Sequence, residues 1–239
     1  MDAIKREISA KYNIEIKSII PYRNIYILNT SEGKKVLKKS WFSAERVAFT
    51  HAAKEHLYNN GFMNIDRDLC TIENEPYVQF NEDIYTVSDF IEGRECNFDS
   101  REDIIKAAKL LAEFHKAAKG YIAPPGCRVK DELGNLPKSF NKRLTELKRL
   151  KKTASKEKSK FDQIFLQHVD YFCAQAESVI KQLKTDAYEN AVNAARLEKV
   201  FCHHDFAHSN IIHSGNKVFL VNFDHCCYEL KVYDIANFI

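Results

Sequence analysis

The sequence predicts an α+β chain of two lobes, in which an antiparallel sheet with one helix precedes a mainly helical part. Strand-like apolar runs separated by short turns dominate the chain up to residue 91. After residue 98, apolar residues recur at helical spacing instead. We therefore expect an N-lobe over residues 1–92 and a C-lobe over residues 93–239.

Residues 12–37 predict a three-stranded antiparallel meander, because turns at 21–24 and 31–33 separate its apolar segments. Ser43 can cap a helix that runs to Leu57 and ends near the Gly61 turn. Two further strands are expected over residues 69–72 and 84–91. These elements complete a small sheet with one helix.

The second part of the chain is predicted to be helical. Ser100 and Asp103 form a capping-box-like start to a helix that continues to His115. A long amphipathic helix is expected over residues 161–183 and a further helix over residues 185–198. The strongly basic segment 142–160 is compatible with an anionic partner or with a solvated helix end and loop. No aromatic residues interleave with its lysines, so nucleic acid is not an expected partner.

Composition limits the class of protein. The 239 residues are 45% hydrophobic and 29% charged, with a net charge of +3, which is typical of a globular chain. No run of roughly 20 apolar residues exists, and the N-terminus lacks a signal-peptide core, so we expect cytoplasmic synthesis and no membrane partner. Seven scattered cysteines without a CxxC pair predict free thiols, and the histidines of residues 203–225 match no zinc template.

The most informative segment is His203-His204-Asp205, with Asn210 five residues after the aspartate. The form His-x-Asp-x-x-x-x-Asn is that of the loop in which protein kinases transfer a phosphoryl group. Asp205 suits the carboxylate that orients an acceptor hydroxyl and accepts its proton, and Asn210 suits a metal ligand. A predicted hairpin over residues 210–221 returns the chain, so residue 222 should lie beside both.

Residue 222 is where such enzymes place a magnesium-binding aspartate, and here it is Asn222. An amide oxygen can coordinate magnesium but brings no charge, and magnesium prefers carboxylates. Asp224 would share a face with residue 222 if the strand continued, because alternate residues of a strand point the same way. The candidate metal ligands are therefore Asn210, Asn222 and Asp224. In addition, the first turn (21–24) has no glycine to let the backbone wrap a phosphate.

The segments 89–95, 111–116 and 203–210 together resemble the CotS-type spore coat proteins. Those proteins belong to the aminoglycoside phosphotransferase and choline kinase group of the protein-kinase-like fold, and the resemblance covers nearly the whole chain. It implies ATP and Mg²⁺ as cofactors if the chain is active and none otherwise. It also implies a place in the spore coat, other coat proteins as partners, and a small-molecule acceptor if the chain is active. Relatives continue for several helices beyond Ile239, so an incomplete C-lobe is expected.

The resemblance also implies roles for individual residues. Lys38 matches the strand lysine that contacts nucleotide phosphates, and its helix partner would be Glu45 or Glu55. Asp89, Phe90 and Ile91 match the hinge whose backbone groups meet adenine. Asp205 matches the catalytic base. Asp234 matches an acidic residue that opens the following helix, with N-capping as its expected main task.

Three functions stay open on the sequence alone. The first is a coat-associated protein with a kinase-like fold and weak or no catalysis. The second is an active ATP-dependent kinase that acts on a small-molecule hydroxyl. The third is a non-enzymatic binding module for an anionic partner. Asn222 and the glycine-free turn favour the first, whereas Lys38, Asp205 and Asn210 support the second.

Overall fold

The computed structural model describes residues 2–156 and 159–239. The chain divides into two compact units, one formed by residues 1–130 and 199–239 and the other by residues 131–198. The lobe boundary expected after residue 92 stays a prediction.

The first unit contains a five-stranded antiparallel sheet. Its strands are β1 (Ile16–Tyr22), β2 (Ile25–Thr30), β3 (Gly33–Ser40), β4 (Val78–Phe80) and β5 (Asp83–Asp89), in the order β1-β2-β3-β5-β4. The predicted meander and the last strand are confirmed. The strand expected over residues 69–72 is wrong, because the chain turns there. The turn is closed by the Thr71 N–H, which donates to the Glu75 carbonyl at 2.8 Å.

Helix α1 (Asp2–Tyr12) was not predicted, although its buried residues Ile4, Ile8 and Tyr12 repeat every four positions. They pack against Leu28 and other apolar side chains of the sheet. Helix α2 (Ala44–Asn59) confirms the helix predicted after Ser43. Helix α1 therefore contributes to the apolar core of the sheet, whereas α2 supplies Phe49, Ala53 and Leu57 to a separate core.

The remaining elements of the first unit surround a second core. Strand β6 (Arg94–Glu95) comes before helix α3 (Arg101–Ala117) in the chain and forms a short sheet with β8 (Ile211–Ser214) and β9 (Lys217–Leu220). Strand β7 (Phe201–Cys202) pairs with β10 (Cys227–Tyr228). Helix α7 (Val232–Phe238) follows. The core is dominated by aromatic rings with no exposed surface, from Phe49, Phe114, Phe201, Phe206 and Phe223. Because those rings come from α2, α3 and the segments around residues 205 and 222, their packing holds the two loops in place.

The start of α3 only partly follows the sequence prediction. The Ser100 hydroxyl accepts the Asp103 N–H at 3.4 Å, as expected of an N-cap. The Asp103 carboxylate does not complete a capping box, because it binds the Arg94 guanidinium at 2.6 and 2.9 Å instead. This ion pair joins α3 to β6 directly after the hinge segment.

The second unit is helical, with α4 (Leu136–Ala154), α5 (Lys160–Gln182) and α6 (Asp186–Glu198). Helices α4 and α5 share a small core around Leu144 and Val169. Two lysines of the basic segment pair with α5: Lys148 with Glu177 at 2.6 Å, and Lys151 with Asp170 at 2.5 Å. Part of the segment's charge is thus compensated by acidic residues outside it. Residues 157 and 158 of that segment lie outside the described residues.

The antiparallel sheet with its packed helices, followed by a mainly helical remainder, confirms the predicted fold class. Within the described ranges, none of the helices combines the length and the apolar character that crossing a membrane requires.

Candidate functional site

A cavity of about 540 Å³ lies in the first unit. Its wall brings together all the predicted site residues except the two candidate glutamates of α2. These lining residues are Lys38, Asp89, Phe90, Ile91, Asp205, Asn210, Asn222 and Asp224. The sequence motifs, which are up to 186 positions apart in the chain, therefore meet at one cavity.

Asp205 and Asn210 are joined directly. The Asn210 side-chain amide donates to the Asp205 backbone carbonyl and to its carboxylate, both at 2.8 Å. A short 3-10 turn (His208–Asn210) between them brings Asn210 back towards Asp205. This arrangement fixes the orientation of the carboxylate that is predicted to act as the catalytic base.

Asp234 binds the backbone of the loop that carries Asp205. Its fully buried carboxylate accepts the backbone N–H groups of His203 at 3.0 Å and His204 at 2.7 Å, and it bonds His115 Nε2 at 2.8 Å. Burial acts to raise the pKa of Asp234, but the His115 hydrogen bond and the nearby donors hold that pKa below its ordinary value. Asp234 is the third residue of α7 and binds the preceding loop, so the expectation that it mainly caps its own helix is wrong.

Lys38 lies between two of the predicted metal ligands. Its ammonium donates to Asn222 Oδ1 at 2.7 Å and is 2.6 Å from Asp224 Oδ2. Asn222 has left-handed backbone angles (φ 67, ψ 65), and residues 223–225 form a 3-10 turn. The strand that was expected to continue through Asp224 is therefore absent. Asp224 nevertheless reaches the same ammonium as Asn222, because the turn redirects its side chain.

The donor set does not fit a resident magnesium ion in this arrangement. The Asn210 Oδ1 atom accepts the Asn222 side-chain amide at 3.2 Å, and the oxygens of Asn222 and Asp224 accept from Lys38. Two of the three ligands are neutral amides, whereas magnesium is usually held through carboxylates together with substrate phosphates. Here the positive charge beside these oxygens comes from the Lys38 ammonium.

Neither candidate glutamate contacts Lys38. Glu55 forms a two-pronged ion pair with Arg67 at 2.8 and 2.7 Å. Glu45 lies in the first turn of α2, and the neighbouring Ser43 side chain and the Glu45 backbone N–H lower the pKa of its exposed carboxyl. The lysine–glutamate pair that the resemblance implies is therefore not formed in this structure.

Helix α2 instead presents Arg46, Thr50 and Lys54 to the cavity, four residues apart on one face. The buried Lys54 ammonium lies 2.7 Å from Asp68 Oδ1 and 3.4 Å from Asp66 Oδ1. Burial acts to lower the pKa of Lys54, but the two carboxylates outweigh it and raise that pKa well above its ordinary value.

We call this lysine and its two aspartates the Lys54–Asp66–Asp68 triad. The triad also contacts the turn that carries Asn222. Asp66 Oδ2 accepts the backbone N–H of Asn222 at 3.2 Å. The triad thereby links α2 to the turn that carries Asn222. Sequence reasoning missed Arg46 and the triad. The available signal was the eight-residue spacing, about two helical turns, of two basic side chains on an otherwise largely apolar helix face.

The hinge residues lie at the cavity edge, where Asp89 ends β5 and Phe90 and Ile91 follow it. The backbone N–H of Asp89 donates to the Arg67 carbonyl at 3.1 Å, and that of Phe90 donates to the Lys34 carbonyl at 3.3 Å. Lys35 pairs with the Asp89 carboxylate at 2.7 Å. These bonds hold the hinge backbone in a defined conformation beside the cavity.

The glycine-free first turn (21–24) contacts the opposite wall of the cavity through the side chain of Arg23. Arg23 has a positive φ of 50°, and its guanidinium lies 2.5 Å from the Glu95 carboxylate of β6. Both residues line the cavity. An ion pair of side chains thus joins the turn to the opposite wall of the cavity. A glycine-rich loop would instead approach a phosphate with its backbone.

Solved structures with this fold include phosphotransferases. The chain is similar to an aminoglycoside phosphotransferase from Alicyclobacillus acidocaldarius, with 23% identity and a TM-score of 0.81 over 98% of this chain and 69% of that one. It is also similar to an amicoumacin kinase in complex with AMP-PNP and Ca²⁺, with 14% identity and a TM-score of 0.64 over 99% of this chain and 67% of that one. At such identities the likeness shows the fold alone.

Sequence comparison identifies the family. Spore coat protein S of Bacillus subtilis is 25% identical over 224 residues, which are 93% of this chain and 64% of that protein. The chain thus spans just under two thirds of the length of this curated relative. The model of one family matches residues 5–239, which is nearly the whole chain. The chain therefore belongs to the family described as "Spore coat putative kinase YutH", which confirms the resemblance predicted from its sequence.

Proposed function

We propose that this chain is a spore coat-associated protein that binds an adenine nucleotide in its kinase-like cavity and transfers phosphoryl groups weakly or not at all. The family and the relationship to Spore coat protein S support the association with the coat. The observation that carries the proposal on catalysis is the closed network around Asn222.

The chemistry of that network supports weak catalysis. The Asn222 amide donates to Asn210 Oδ1 and accepts from Lys38, which an ionised aspartate could not do because it has no donor. Phosphoryl transfer depends on neutralising the charge of the phosphates and positioning them. With an amide at residue 222, the predicted metal ligands include a single carboxylate, that of Asp224.

The test compares wild type with Asn222→Asp in ATP turnover with Mg²⁺, using radiolabelled ATP so that slow rates are measurable. We expect wild-type turnover near background and a clear gain in Asn222→Asp, since the variant restores a second carboxylate to the ligand set. Asn216→Asp is a matched control, because it makes the same chemical change in the exposed hairpin turn. Equal turnover of wild type and Asn222→Asp would contradict the role given to Asn222.

A second candidate is an active ATP-dependent kinase for a small-molecule hydroxyl. Its support is the position of Asp224, whose carboxylate reaches the same ammonium as Asn222, together with the ordered Asp205–Asn210 pair. Under this proposal wild type turns over ATP, and Asp205→Ala abolishes the reaction. That result would replace the first proposal by the second.

A further inference from the structure

Four basic side chains line the cavity, and the structure distinguishes one of them. Three have acidic partners: Arg23 pairs with Glu95, Lys38 with Asp224, and Lys54 with two aspartates. Arg46 is the exception, because no carboxylate of the described ranges lies within 4.0 Å of its guanidinium. Buried charges in proteins are normally paired.

Arg46 is buried, with 5% of its surface exposed. Its Nη2 atom donates to the carbonyls of Asp224 at 2.9 Å and of Cys226, and the Phe49 ring lies 4.7 Å from its guanidinium carbon. These neutral groups stabilise the cation without cancelling its charge. Its Nη1 atom is buried and has no hydrogen-bond partner among the described atoms.

The geometry points to Arg46 as the phosphate-binding cation of the cavity, which binds a phosphoryl group of an adenine nucleotide without a divalent metal. This inference rests on the proposed nucleotide function and goes beyond it by naming the residue and the metal independence. Two parts of the structure support it. The unpaired guanidinium needs an anion and has a free donor, and the oxygens that would hold a metal are already satisfied by internal donors.

The position of Arg46 suits this task. It is held by the backbone of Asp224, whose carboxylate binds Lys38, so the two cations flank the same residue. A guanidinium has a fixed fork of donors, which matches the oxygens of a phosphate. Because stacking on Phe49 and the carbonyl bonds already restrict the side chain, little further ordering is needed when the anion binds.

The experiment measures binding of ADP, AMP and adenosine by calorimetry in EDTA and again in Mg²⁺. We expect wild type to bind ADP about tenfold or more tightly than adenosine in EDTA, because a charge-assisted hydrogen bond contributes that much. Arg46→Gln should lose this preference and keep its affinity for adenosine within about twofold. Arg143→Gln, which removes the same charge from the exposed surface of α4, should leave both affinities unchanged.

Each outcome decides the matter. Equal affinity of wild type for ADP and adenosine in EDTA overturns the inference, as does ADP binding that requires Mg²⁺, and in both cases the proposed nucleotide function stands. An equal loss of ADP and adenosine affinity in Arg46→Gln assigns Arg46 a structural role only. If that variant does not fold, the wild-type comparison in EDTA still decides. No binding of any of the three ligands defeats the nucleotide function itself.

Discussion

Replacing Lys54 with methionine tests how much the Lys54–Asp66–Asp68 triad stabilises the first unit. The methionine keeps most of the side-chain volume and removes the charge. It leaves two carboxylates whose side chains are 16% (Asp66) and 9% (Asp68) exposed, without their cation. The neighbouring His51 lies 3.6 Å from Asp68 and compensates it only if protonated.

The size of the effect follows from this burial. Removing one partner of a buried ion pair costs about 3–5 kcal/mol, because the remaining charge is left unpaired. For a cooperative unit of this size, about 1 kcal/mol shifts the melting temperature by 2–4 °C. The expected decrease in Tm is therefore about 6–20 °C at neutral pH.

The pH dependence has a definite sign. In wild type the pKa of Asp68 is lowered: burial acts to raise it, but Lys54 and the hydrogen bonds outweigh burial. Its contribution to stability is therefore present above its unfolded pKa and is lost as the pH falls through the folded value. In the variant, burial without the cation raises the pKa of Asp68, and it raises further the pKa of Asp66, which burial already holds above its ordinary value in wild type. The deficit in stability should accordingly be largest at neutral pH and shrink on acidification, as the carboxylates become protonated.

Urea denaturation followed by circular dichroism gives the free energy of unfolding of each variant. The variant in which Asp66→Asn and Asp68→Asn accompany Lys54→Met should be more stable than Lys54→Met alone, since no buried charge remains. Lys39→Met, which removes an exposed lysine of β3 in the same unit, should leave the midpoint unchanged. A triple variant no more stable than the single one would refute the reasoning.

Three further predictions concern the support of the site. Asp234→Ala should lower the free energy of unfolding by at least about 2 kcal/mol in urea titrations, because the buried His203 N–H and the half-buried His204 N–H lose their acceptor; an unchanged midpoint would contradict this. Gly93→Ala should cost about 1–3 kcal/mol in the same assay, since an added Cβ would lie 2.2 Å from the His213 carbonyl oxygen and force the backbone to shift. Glu55→Gln should leave nucleotide affinity in calorimetry unchanged, because Glu55 does not contact Lys38; a marked loss would show that the lysine–glutamate pair forms when ligand binds.

Much of the fold could be predicted because local signals agreed with the tertiary structure. The meander and the hairpin before Asn222 have clear turns, and helices α3, α5 and α6 have clear apolar spacing, whereas α4 was not predicted. The strand expected over residues 69–72 failed because a tight turn at Thr71 outweighed its apolar residues. Helix α1 was missed because its short apolar repeat precedes a strand-like region and carries many charges.

The site was predictable where a motif fixes the residues and less so where charges compensate one another. Asp205, Asn210 and Asn222 meet as expected because the hairpin between them has a short, recognisable turn. The partners of Lys38 were not predictable, since they depend on a left-handed residue followed by a 3-10 turn. The triad brings Lys54 of α2 to two aspartates in a loop without regular structure, so no periodic pattern marks their contact.

The left-handed backbone of Asn222 has a consequence for the evolution of this site. Asparagine and aspartate are the non-glycine residues that tolerate this conformation best. Exchange between them replaces one NH₂ group by an oxygen and requires no rearrangement of the backbone. An aspartate here would face Asn210 Oδ1 with no donor between the two oxygens, so a cation would have to fill the gap. Under the proposed function, a single substitution thus separates the closed hydrogen-bond network around Asn222 from a metal-binding site, and the step is equally short in both directions.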